Sequence, residues 1–149
     1  SQIDGSGVVR LTTSTATTST QPSPSPDGTK VVFNRAGVIS TLDLATNTVR
    51  SLGVRGDFPK YSPDGTRILF LTPSPYYSQN LAVMNADGSN VRIADTRNYD
   101  LYSGPSWSPD GVWIVVQGMY ASSLELVRAS NFEVIPLRRV PFPQASFTP

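Results

Sequence analysis

The chain predicts an all-β fold, a segment of a β-propeller, on three observations. The tetrapeptide Ser-Pro-Asp-Gly recurs at Ser25–Gly28, Ser62–Gly65 and Ser108–Gly111. Each copy leads at once into a short apolar run: Val31-Val32-Phe33, Ile68-Leu69-Phe70 and Ile114-Val115-Val116. The prolines at 26, 63 and 109 stand 37 and 46 residues apart, and a period of about 40 residues fits one four-stranded blade. Thirteen prolines and eleven glycines spread along 149 residues also oppose long helices.

The tetrapeptide specifies a tight turn. Proline presets φ at the second turn position, Asp bonds backbone two residues on, and Gly takes positive φ without steric cost. Asp27, Gly28, Asp64, Gly65, Asp110 and Gly111 are therefore structural turn residues. A first strand precedes each turn, as in Phe58–Tyr61 and Gly104–Trp107, and the apolar run after it is the second. Third strands follow at Val38–Leu44, Leu81–Asn85 and Leu124–Val127, bounded by turn residues. Fourth strands close each unit at Val49–Leu52, Val91–Ala94 and Val134–Leu137. Lettered A to D from the inside outwards, these make three complete four-stranded antiparallel blades.

Both ends carry fragments of the same pattern. Ile3–Gly7 matches the Asp-Gly-Ser turn at Ala86–Asn90, so Val8–Leu11 reads as an orphan outer strand of a preceding blade. Gln144–Phe147, ahead of Pro149, reads as an orphan inner strand of a following one. The chain divides accordingly into 1–20 (outer strand and linker), blades at 21–53, 54–96 and 97–140, and 141–149 (inner strand). Three blades are too few to close a ring. The remainder of a longer propeller, or further copies in a homo-oligomer, would have to complete it.

Pro105–Gly111 (Pro-x-Trp-Ser-Pro-Asp-Gly) and the Val83–Ser89 run (Val-Met-Asn-Ala-Asp-Gly-Ser) resemble the repeat of the TolB-like propellers, whose architecture is similar to that of WD-repeat propellers. The resemblance covers nearly the whole chain. Departures are Pro24 where the other copies have Tyr61 and Trp107, and a final copy that ends at Pro149. Such propellers serve as periplasmic partner-binding domains, as gating domains of prolyl-oligopeptidase-type peptidases and as polysaccharide-lyase scaffolds. The resemblance thus implies a bacterial periplasmic, extracellular or cell-surface location. It leaves function to be argued from the residues.

Those residues exclude much chemistry. The chain has no histidine and no cysteine, so a Ser-His-Asp triad, imidazole acid–base catalysis, disulfides and thiolate metal sites cannot be built from it. The histidine-dependent metal site of lyase-type relatives is excluded on the same ground. A net charge of +1 with scattered basic residues gives no footprint for nucleic acid. No apolar stretch approaches the ~18 residues of a membrane span, and no signal peptide is evident at Ser1. No cofactor is expected. Calcium is the one ion the oxygen-rich Asp-Gly-Ser turns suit, and the Asp-x-Asp-x-Asp-Gly spacing it favours is missing.

The remaining constellation is aromatic. In a propeller the B–C and D–A loops emerge on one face. This topology sends Tyr76 and Tyr77 (second-blade B–C loop), Tyr99 and Tyr102 (D–A loop into the third blade) and Tyr120 (third-blade B–C loop) to a common rim. Arg97, Asp100 and Arg35 supply polar groups there. Tyrosine is enriched at interfaces because it buries a large ring while keeping its hydroxyl bonded. Packing of the rings against their own blades is the competing explanation. Trp107 reads as inter-blade core, whereas Trp113, in the place of Lys30 and Arg67, reads as part of an open face. The expectation is a non-enzymatic binding or structural module presenting a tyrosine-rich face to a protein or glycan. The alternative is the substrate-gating part of a larger peptidase or carbohydrate-active enzyme.

Overall fold

The computed structural model describes residues 10–11, 17–73, 79–94, 104–117 and 124–136. The orphan inner strand at Gln144–Phe147, and all but the last two residues of the orphan outer strand, lie outside them. The described residues form three four-stranded antiparallel sheets and contain no helix. The first blade comprises β1 (Ser19–Pro24), β2 (Lys30–Arg35), β3 (Val38–Asp43) and β4 (Thr48–Arg55). The second comprises β5 (Asp57–Tyr61), β6 (Arg67–Pro73), β7 (Gln79–Asn85) and β8 (Arg92–Ile93). The third comprises β9 (Ser106–Trp107), β10 (Trp113–Gln117), β11 (Leu124–Arg128) and β12 (Val134–Pro136). Each sheet runs in chain order, so every connection within a blade is a hairpin.

Alternation along the second strands decides which side chains meet which neighbour. Val32 and Ile39 of the first blade face Ile68, Phe70, Ala82 and Met84 of the second, with Leu52, Val54 and Tyr61 packed around them. The opposite side of the second sheet carries Leu69, Leu71, Leu81 and Val83. These pack on Ile114, Val116 and Val127 of the third blade, with Phe58, Trp107 and Phe132 at the margins. The core is thus two layers between three sheets. A β-branched or aliphatic run buried on both sides, as in β6, is what the apolar triplets encode.

Two further contacts set the blade spacing. A residue with left-handed φ stands five positions before each turn proline, within the first strand at Gln21 (55°) and Phe58 (51°) and just ahead of it at Gly104 (68°). In β1 and β5 this residue falls within a one-residue bulge, between Thr20 and Ser23 and between Asp57 and Lys60. The Gln21 side-chain oxygen accepts the Phe58 N–H at 2.8 Å, linking the bulges of neighbouring blades. The Phe58 ring in turn sits against Gly104, where an added Cβ would lie 3.0 Å from ring carbon Cδ1. Gly104 therefore answers both a backbone conformation and a close approach.

Two pairs of outcomes follow for urea unfolding. Leu69→Ala, a fully buried site between two blades, is expected to cost about 2–5 kcal/mol, whereas Ile93→Ala, 56% exposed, is expected to change stability by no more than ~0.5 kcal/mol. Gly104→Ala is expected to lower the midpoint, and Phe58→Leu in the same background to recover part of the loss by removing the ring.

Candidate functional site

The three Ser-Pro-Asp-Gly turns share one hydrogen-bond design. The Gly N–H of each donates to the Ser carbonyl at 2.9 Å, and φ at Gly28, Gly65 and Gly111 is 70°, 71° and 68°. The serine hydroxyl donates to its aspartate Oδ1 at 2.6 Å for Asp27, 2.5 Å for Asp64 and 2.5 Å for Asp110. It also accepts the N–H of the residue five places on: Lys30, Arg67 or Trp113. The same Oδ1 accepts the N–H of Thr29, Thr66 or Val112 at 3.0 Å. The serine hydroxyls, then the backbone amides, hold all three carboxyls below the ordinary aspartate range. Asp43 and Asp87, in the C–D turns, are lowered in the same direction. The causes are the Thr46 amide for Asp43 and the Ser89 hydroxyl for Asp87.

The rim is expected at the other end of the blades. Of the eight rim residues, the structure describes Arg35. Tyr76 and Tyr77, then Arg97, Tyr99, Asp100 and Tyr102, and Tyr120 fall in 74–78, 95–103 and 118–123, outside the described residues. Arg35 is half-buried, and its Nε donates to Thr17 Oγ1 at 3.3 Å. Beside it a network crosses from the first blade to the second. Asn34, buried, donates from Nδ2 to the Gly56 carbonyl at 2.7 Å and to Asp57 Oδ1 at 2.8 Å. Its own Oδ1 accepts the Gly37 N–H at 2.9 Å. Asp57 Oδ2 accepts from Gln79 Nε2 at 3.2 Å. One carboxylate thus ties a B–C turn, a D–A junction and the strand end that follows residues 74–78.

Sequence reasoning passed over Asn34, Asp57 and Gln79. A signal was present: eight residues after the turn proline, Asn34 occupies the place of Leu71, which is fully buried. An amide at a core position of a repeat has to find partners. The two tryptophans divide as their places suggest. Trp107 packs against the core between the second and third blades, its Nε1 donating to the Lys60 carbonyl at 3.2 Å. Trp113, half-buried, lies on the side of the third blade facing away from the second, under the Arg128 guanidinium, 4.4 Å from the ring centre.

Among the described residues no group of three or more aspartates and glutamates is placed to hold a metal ion, and no helix is long and apolar enough to cross a membrane. The fold is that of a partial β-propeller with TolB-like blades. It is similar to putative TolB from Agrobacterium tumefaciens (TM-score 0.65, 23% identity, 86% of this chain and 51% of that one). It is similar also to TolB from Acinetobacter baumannii (TM-score 0.65, 21% identity, 81% of this chain and 32% of that one). A third likeness is to the β-propeller domain of the Trilobed protease from Pyrococcus furiosus (TM-score 0.63, 16% identity, 83% of this chain and 44% of that one). The chain spans about half the length of these structures or less. No family model and no curated protein matches the sequence.

The lowered carboxyls tie stability to pH. A group whose folded pKa lies below its unfolded value contributes stability above the unfolded value, near ~3.9 for Asp, and loses it as pH falls through the folded one. The urea midpoint is therefore expected to be flat from about pH 7 to 5 and to drop below about pH 4. A triple Asp27→Asn, Asp64→Asn, Asp110→Asn variant is expected to start lower at pH 7 and to lose less on acidification. Equal acid losses in both proteins would discount the turn carboxylates.

Proposed function

We propose that this chain is a non-enzymatic binding module of the bacterial periplasm or cell exterior, which holds a protein partner on its B–C and D–A loop rim. The observation carrying this reading is the cross-blade network of Asn34, Asp57 and Gln79. It fixes the loop bases in one position, as a recognition surface requires. The segments bearing Tyr76, Tyr77, Tyr99, Tyr102 and Tyr120 join strand ends on that same side of the blades. Tyrosine-rich loops on a rigid sheet scaffold suit recognition, and a chain without imidazole or thiol has little with which to transform what it holds. The likeness to TolB structures agrees with a partner-binding role, as an analogy from fold.

A second reading, the gating propeller of a larger peptidase, is favoured by the likeness to the Trilobed protease domain. The two part on the native polypeptide: a hydrolase domain in the same chain supports gating, and its lack supports the free-standing module. For the rim itself, immobilised protein is expected to retain a polypeptide from bacterial envelope extract. The Tyr76→Ala, Tyr77→Ala, Tyr99→Ala, Tyr102→Ala variant is expected to retain at least tenfold less. Equal retention by the two, with the same urea midpoint, removes the rim as the site.

A further inference from the structure

The repeat places one cleft at the turn end of each blade pair, and the two clefts differ. Between the second and third blades the cleft encloses about 280 Å³. Two cations line and narrow it. Arg67 donates from Nη2 to the Gly111 carbonyl at 3.0 Å and lies 4.8 Å over the Trp107 ring, while Arg92 lies 5.1 Å over Phe132. Between the first and second blades the equivalent cleft encloses about 630 Å³, within the range of roughly 300–1,000 Å³ usual for small-ligand sites.

Residue-by-residue register explains the difference. Lys30 stands where the other cleft has Arg67, and Tyr61 stands where it has Trp107. Arg50 replaces Arg92, and Ser89 takes the place of Phe132. A lysine lacks the planar fork with which a guanidinium bonds a carbonyl and stacks on a ring together. Among the described residues neither Lys30 nor Arg50 is stacked on an aromatic ring. The cleft is nonetheless bounded. An added Cβ on Gly65 would lie 3.5 Å from Pro26 Cδ at one end, and one on Gly88 3.1 Å from the Leu52 Cβ at the other.

The lining of the open cleft is more polar and more acidic than its counterpart: Thr41 stands for the apolar Val83, and carboxylates stand for neutral polar groups, Asp43 for Asn85 and Asp87 for Ser130. The aspartates are held in place by their own turns. Asp43 Oδ1 accepts the Ala45 and Thr46 amides at 3.1 and 3.0 Å, and Asp87 Oδ1 accepts the Ser89 amide and hydroxyl at 2.9 and 2.6 Å. Each Oδ2 has no such partner among the described residues. Cations interleave with them: Lys30 acts on both Asp27 and Asp43, and Arg50 acts on Asp87. Four aspartates (Asp27, Asp43, Asp64 and Asp87) against two cations (Lys30 and Arg50) leave the lining acidic on balance, so fixed acceptors interleaved with a few donors favour a ligand rich in donors that also accept and that carries no negative charge. Hydroxyl groups on a carbon ring meet that description, and the half-buried Tyr61 ring offers an apolar surface for the ring's C–H face.

We propose that the cleft between the first two blades binds a neutral oligosaccharide. It lies at the opposite end of the blades from the rim and does not depend on the rim reading. The full chain, labelled and applied to an array of neutral oligosaccharides of two to six sugars, is expected to bind, with affinity then measured by calorimetry on the best. Asp87→Ala and Tyr61→Ala are each expected to weaken binding at least tenfold. The pair Lys30→Arg, Tyr61→Trp rebuilds the plug of the neighbouring cleft and is expected to abolish binding without lowering the urea midpoint, which separates closure from misfolding. The four-tyrosine rim variant is expected to bind as the parent does. No neutral oligosaccharide bound, or binding that survives both the plug and Asp87→Ala, overturns the proposal. So does loss of sugar binding in the rim variant, or binding of spermine without any sugar.

Discussion

The serine hydroxyl of each Ser-Pro-Asp-Gly turn is the interaction on which the rest of the fold rests. It donates to the aspartate and accepts the amide that opens the second strand, so one side chain joins turn to sheet. Ser62 is fully buried while Asp64 is exposed, which places the hydroxyl beneath a charged lid. The turns also touch in sequence, Gly65 against Pro26 and Gly111 against Pro63. A side chain on either glycine would meet positive φ and a neighbouring proline ring together. Turn geometry therefore sets blade spacing as well as blade topology.

From that spacing the packing follows. The second strands sit at fixed register behind the turns, so their alternate side chains address the blade before and the blade after. Val31 and Phe33 correspond to Ile68 and Phe70, and to Ile114 and Val116. The departures from this register are where the chemistry sits. Asn34 replaces an aliphatic residue and recruits Asp57; Lys30 replaces an arginine and leaves a cleft. Neither change perturbs the strand itself.

The fold was legible because its signals are local and repeated: a turn with a mechanism, an apolar triplet and a period. Strand limits were less so. β4 runs to Arg55, beyond the expected Leu52, since its pairing with β3 resumes past an irregularity at Val38–Ser40. β8 is shorter than Val91–Ala94, following an Asn90 with φ of 54°, although Ala94 still donates to the Leu81 carbonyl. The contacts that couple blades were not legible. Gln21 to Phe58 and Arg67 to Gly111 join residues 37 and 44 positions apart, through side chains whose reach no periodicity encodes. The rim was read from topology alone, and its tyrosines fall outside the described residues. The Asn34–Asp57–Gln79 network was missed because its one signal, an amide in the register place of the buried Leu71, is a single departure from the repeat rather than a motif, and nothing in it points to Asp57 or Gln79.

The bulges in β1 and β5 bear on how such a protein survives at high concentration. The first strand of a blade has an edge that no partner within its own sheet covers, and a regular edge would template any extended peptide drifting past. One extra residue in left-handed conformation, with a proline directly after it at Pro22 and Pro59, throws the amides out of step and deletes a donor. A foreign strand laid alongside could match only a few residues before losing phase. The same backbone irregularity that lets neighbouring blades interlock thus also works as a guard against fibril growth.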